Sequence, residues 1–134
     1  MLLVDTSVWS LAFRRDSPPD LPEVVALRRA LTRGDTVATT GMILLELLRG
    51  FVPASAKQVI LTAFDNLDLI EPQREDYVAA AVVADTCRAA GVQLGSVDAL
   101  IAHLAIAGGH TLLTTDRDLH QAARHIDLRV WHEP

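Results

Sequence analysis

Residues 95–119 read GSVDALIAHLAIAGGHTLLTTDRDL and hold a complete helix–strand unit. Ser96 is placed to cap a helix of roughly residues 97–107, and Gly108-Gly109 stops it. The apolar run TLLTT that follows is a short strand, and it ends at Asp116. Read backwards, the same grammar recurs. Met1–Val4 is a short buried strand that stops at Asp5, with helical residues following through Val8, Trp9 and Phe13. Asp20 with Glu23 reads as a capping box opening a helix through Val24, Leu27 and Leu31, which Gly34 ends. Thr36–Ala38 is a second strand, with Thr39 or Thr40 as the next N-cap. GMILLELLRG (41–50) is a helix apolar on every side, hence buried, closed by Gly50 and Pro53. Ser55 caps a helix striped by Val59, Ile60, Ala63, Phe64 and Leu67. LDLIEP is a short strand, 73–90 an Ala-rich helix ending at Gly91, 118–125 a short helix and LRVW a last strand.

Strands alternating with helices predict an α/β protein: an α/β/α sandwich around a central, mostly parallel sheet of about five short strands. The 134 residues make a single domain, 1–134, and half of them are hydrophobic, enough for a real core. The single cysteine, Cys87, excludes an intrachain disulfide and fits a reducing compartment. Seventeen acids against eleven arginines and Lys57 give a net charge of −5, which argues against a passive nucleic-acid coat. The N-terminus lacks a basic signal region, and no apolar run approaches the roughly 18–20 residues that span a bilayer. A cytoplasmic protein with no membrane association is expected.

The chemistry lies in where the carboxylates fall. Asp5 ends the first strand and Asp116 a later one, with Asp118 two residues on. Glu46 is the only charge within GMILLELL, and Asp98 opens its helix. A carboxylate beside a buried run must be paired, hydrogen-bonded or metal-bound, because leaving it bare costs several kcal/mol. Parallel strands end on one sheet edge, so Asp5 and Asp116 meet there if their strands are neighbours, and Asp98 can face the same point. Carboxylates converging in this way call for a divalent cation, and oxygen-only ligation selects Mg²⁺, with Mn²⁺ as substitute. Such ions positioned by carboxylates serve phosphodiester hydrolysis. Each acid also has a purely structural reading. Asp5 and Asp116 fit as helix N-caps, Asp98 as a helix-dipole partner, Glu46 as a partner of Arg49, and Asp118 as a cap or outer group. The five histidines show no zinc spacing, and there is no phosphate-binding glycine loop. Arg14-Arg15 and Arg28-Arg29 read as solvated faces or RNA contacts, and Trp9 and Trp131 as core or interface rather than as stacking platforms.

LLVDTSVW, GMILLELLRG and GSVDALIAHLAIAGGHTLLTTDRDL together resemble PIN domains, in particular VapC-type toxins of bacterial toxin–antitoxin pairs. The resemblance covers essentially the whole chain. It implies a metal-dependent endoribonuclease whose four acids match Asp5, Glu46, Asp98 and Asp116. Asp5, Asp98 and Asp116 would hold the metal, and Glu46 would ligate it or orient its water. Thr6, Ser7, Thr114 and Asp118 match supporting positions, and Leu119 stands where the family commonly has Phe. The resemblance further implies cleavage of structured RNA, frequently tRNA, leaving a 5′-phosphate and a 3′-hydroxyl. It also implies a homodimer and a small VapB-type antitoxin as partner. Two Mg²⁺ would bring the formal charge of −5 to −1 and ease the approach of a polyanion. Two other readings are a non-catalytic PIN-like binding module and a phospho-accepting receiver domain. A receiver needs an acidic pair after strand one and a late lysine, and this sequence has neither.

Overall fold

The computed structural model describes residues 1–14, 20–49 and 53–134. The proline-pair loop at 18–19, Arg15 and Gly50 lie outside them.

Four short strands form one parallel sheet: β1 (Leu2–Val4), β2 (Val37–Thr40), β3 (Asp68–Ile70) and β4 (Thr111–Leu113), in the order β3-β2-β1-β4. The expected fifth strand, LRVW, is reduced to a single parallel bridge between Val130 and Leu112. Leu3, Val4, Val37, Ala38, Leu112 and Leu113 are buried, as strands covered on both faces should be.

The chain builds outward from β1 to β3, then returns to add β4 on the other side of β1. That reversal makes the β1–β4 boundary the switch point, where a crevice opens outside the carboxyl ends of the strands. The connections are helical: α1 (Thr6–Ala12) and α2 (Pro22–Arg33) between β1 and β2, α3 (Gly41–Leu48) and α4 (Ala54–Phe64) before β3, and α5 (Arg74–Ala89) and α6 (Ser96–Gly108) before β4. A last helix, α7 (Arg117–Ala122), follows β4. α1 packs on α2 and α3, and α5 on α6. His103 Nε2 lies 2.8 Å from Asp76 Oδ1, tying α6 to the first turn of α5.

Several helix starts differ from the sequence reading. Asp20 and Glu23 form no capping box. Pro22 opens α2 at a position where its missing N–H costs nothing, and Leu21 is the uncapped N-cap residue. The capping box sits instead at Gln73 and Asp76, at the head of α5. Ser55 and Ser96 lie inside the first turns of their helices, with Pro53 and Gly95 at the N-caps. Thr40 holds the N-cap position of α3, but its hydroxyl donates to the Ile70 carbonyl (2.9 Å) and so stitches β2 to β3. Helix α3 is not buried all round: Ile43 and Leu47 face the core while Leu45 is 57% exposed. In α4 only Ile60 is buried. Helix ends at glycine hold as read, with Gly34 and Gly109 left-handed at φ 74° and 65°.

Candidate active site at the carboxyl edge of the sheet

Because β1 and β4 are paired in parallel, Asp5 and the Thr114–Asp116 segment leave the sheet side by side. The Asp5 N–H donates to the Leu113 carbonyl (2.9 Å), which extends the ladder one step past the strand. Asp5 occupies the N-cap position of α1 but makes no capping bond with its side chain. Its Oδ2 instead accepts from the hydroxyls of Ser7 and Thr114, each at 2.8 Å. Thr114 is fully buried, and its Oγ1 also accepts from the Asp116 N–H (3.0 Å). Ser7 Oγ accepts from the Thr115 N–H (3.1 Å). Two hydroxyls thus join the first turn of α1 to the chain leaving β4. Burial pushes the Asp5 carboxyl above its ordinary range, and the hydrogen bonds from Ser7 and Thr114 oppose that rise.

Asp116 does act as the N-cap of α7, since its Oδ1 accepts from the Asp118 N–H (2.8 Å). That bond occupies one carboxylate oxygen. Glu46, on the second turn of half-buried α3, has no ion pair with Arg49. Its Oε1 accepts from Thr6 Oγ1 at 2.7 Å, and the only ion pairs among the described residues are Arg88–Asp85 and His103–Asp76. Asp98 lies in the first turn of α6. Its carboxyl is raised to about 6, first by burial and then by the negative fields of Asp5, Asp116, Glu46 and Asp118. Elements far apart in sequence therefore bring the five acids close enough for Asp98 to feel the charge of the other four.

The donor set is oxygen-only and negatively charged, which fits a hard divalent cation. The fit rests on donor chemistry and shared charge. Among the described residues no group of three or more His, Cys, Asp or Glu side chains is already closed around one point. The hydroxyls of Thr6, Ser7 and Thr114 are hydrogen-bonded to Glu46 and Asp5. Sequence reading missed His120, whose Nε2 donates to the Thr114 carbonyl (3.0 Å) from one turn into α7. Its position four residues after Asp116, on the same helix face, was the available signal.

A parallel sheet with acids at its switch point defines a small α/β protein with a polar crevice outside the carboxyl ends of its strands. The chain matches the PIN domain family over residues 2–125 and belongs to it. That membership replaces the receiver reading. Among solved structures, the fold is shared with FitAcB from Neisseria gonorrhoeae (22% identity, 98% of this chain and 97% of that one, TM-score 0.69). It is shared with VapBC-1 from nontypeable Haemophilus influenzae (17% identity, 97% and 96%, TM-score 0.72). It is also shared with VapBC2 from Rickettsia felis, bound to a DNA fragment from its promoter (22% identity, 97% and 96%, TM-score 0.71). None of the curated proteins compared matches the chain. Among the described residues no helix is long and apolar enough to cross a membrane. Leu119 is fully buried, so its replacement of the Phe common in such domains is a matter of packing.

Proposed function

We propose that this PIN domain is a metal-dependent endoribonuclease, the toxin of a VapBC-type pair, acting on structured RNA and on tRNA foremost. The observation that carries this reading is the shared negative field at the switch point, where Asp5, Glu46, Asp116 and Asp118 all act on Asp98. A non-catalytic binding module has no use for five mutually repelling acids.

Asp5, Asp98 and Asp116 are the residues that would hold Mg²⁺ or Mn²⁺. The chemistry supplied by a bound divalent cation is a lowered pKa for water and charge neutralisation at the scissile phosphate. Ser7 and Thr114 fix the Asp5 carboxylate, and Thr6 fixes Glu46, which orients the attacking water. The water oxygen bonds to phosphorus, the P–O3′ bond breaks, and the 3′ oxygen takes up a proton. The products are a 5′-phosphate and a 3′-hydroxyl. The shared fold with VapBC-1 and FitAcB supports an antitoxin partner. Tyr77, Val78 and Val82, exposed together on α5, support a homodimer.

Purified protein is expected to cleave RNA with Mg²⁺ or Mn²⁺ and to stop when EDTA is added. Cleavage undiminished in excess chelator would remove the metal from the mechanism. Glu46→Gln keeps an acceptor for Thr6 but removes the charge. It is expected to lower cleavage at least about 100-fold and leave metal-free stability equal or higher. Stabilisation by Mn²⁺, which follows RT ln(1 + [L]/Kd), should shrink relative to the parent. Full activity with intact Mn²⁺ stabilisation would take Glu46 off the site.

A further inference from the structure

Beside the carboxylates, a cleft of about 570 Å³ runs along the outer edge of β4. Its walls include Thr111, His120, Arg129, Trp131 and His132. Its volume lies within the usual range for small-ligand sites. One end reaches the active-site edge through His120, bonded to the Thr114 carbonyl. The other end lies at Thr111, three residues back along the strand, or about 10 Å.

The lining is mainly apolar and holds no carboxylate; Arg129 is its one permanent charge, and His120 and His132 are its other titratable groups, in a protein of net charge −5. Arg129 has no carboxylate partner among the described residues; its guanidinium donates to the Gly109 carbonyl, which holds it at the cleft. Trp131 is partly exposed and packs against the edge of the core, and its backbone N–H donates to the Leu112 carbonyl (2.9 Å), which ties its main chain to the sheet. The other tryptophan, Trp9, is 1% exposed and packed between Phe13 and Phe64.

We propose that this cleft receives a single-stranded segment of the RNA substrate leading away from the scissile phosphate. One base stacks on Trp131, and the adjoining phosphates lie against Arg129 and His132. The proposal deepens the nuclease reading and rests on it. A partly exposed indole next to an arginine without a carboxylate partner is the pairing that single-stranded nucleic acid selects: a π-face that accepts any base, and positive charge for the backbone. An exposed apolar patch alone would suit a protein partner equally well; the unpaired arginine is what favours a polyanion.

The test uses the whole protein in EDTA, with hexauridylate as probe. Trp9 is shielded, so quenching of tryptophan fluorescence on adding hexauridylate reports Trp131. Quenching is expected. With a fluorescein-labelled hexamer, Trp131→Leu should bind at least about fivefold more weakly, the low end of what one lost stacked base removes. Trp131→Phe, which keeps an aromatic face, should recover most of the affinity, and melting curves of both variants report that the fold is intact. If the parent binds and cleaves RNA but shows no quench, and Trp131→Leu binds as the parent does, the cleft proposal is overturned and the nuclease reading stands. If the parent neither binds nor cleaves RNA, both fall. Quenching by an acidic peptide and not by hexauridylate would assign the cleft to a protein partner and overturn the proposal.

Discussion

Asp98→Asn is expected to abolish RNA cleavage and, in the same tube, to raise the melting temperature of the metal-free protein. Both effects come from one carboxyl facing four others. In the folded state burial, followed by the fields of Asp5, Asp116, Glu46 and Asp118, lifts it from an ordinary 3.8 to about 6. The native state therefore holds this proton more tightly than the unfolded chain does. The associated stabilisation is fully present below about pH 4 and is lost as the pH rises through 6. Unscreened, the gap is worth roughly 3 kcal/mol. Asp98 is only half-buried, and solvent screening leaves about 1–2 kcal/mol, or a few degrees in Tm for a chain of this size. Asparagine keeps the shape and carries no charge at any pH. Melts in EDTA should therefore converge near pH 4 and separate by pH 7, with the variant higher. On expression the variant should also fail to arrest growth. A variant that melts lower than the parent at pH 7, or that still cleaves RNA, would return Asp98 to the plain role of helix-dipole partner.

That result would test the part of the protein most legible in its sequence. Asp5 and Asp116 were visible because each terminates an apolar strand, and parallel strands share an edge. What sequence could not give was adjacency. Only the order β3-β2-β1-β4 puts the two strands side by side, and pairing partners are chosen by packing that no local pattern encodes. Glu46 stood out as a lone charge in an apolar helix, but its partner did not. Arg49 is one turn away in sequence, whereas the actual contact, Thr6, is forty residues distant. Helix starts were misread wherever a serine or aspartate outbid the residue that sterics prefer, as at Asp20 against Pro22. The stops at Gly34 and Gly109 are legible, because a left-handed residue at a helix end is a local backbone demand that few other side chains meet. The exposed face of α3 was hidden because Leu45 looks like core in any hydropathy count.

The hydroxyls, rather than the acids, should produce the largest loss of stability. Thr114→Val is nearly isosteric and removes one buried oxygen that serves two partners. Oγ1 donates to Asp5 Oδ2 and accepts from the Asp116 N–H, and it also lies 3.3 Å from Ser7 Oγ. In the valine variant a 3%-exposed carboxylate keeps only the Ser7 hydroxyl as a side-chain donor, and the Asp116 N–H loses its acceptor. Leaving buried polar groups unpaired costs about 1–3 kcal/mol each, more where one is charged. A loss of about 2–3 kcal/mol is expected at pH 7, with a fall in Tm on the order of 10 °C. Asp5 should then titrate still higher, because an opposing hydrogen bond has been removed. Thr114→Ser keeps the hydroxyl and gives up one methyl, about 1 kcal/mol, and should retain most of the cleavage that valine loses. The decisive comparison adds Asp5→Asn. If the threonine acts through the Asp5 carboxylate, Thr114→Val should cost at least about 1 kcal/mol less in the Asp5→Asn background than in the parent. Equal costs in both backgrounds, or a valine variant as stable as the serine one, would show that Thr114 merely fills space and that Asp5 is positioned by other means.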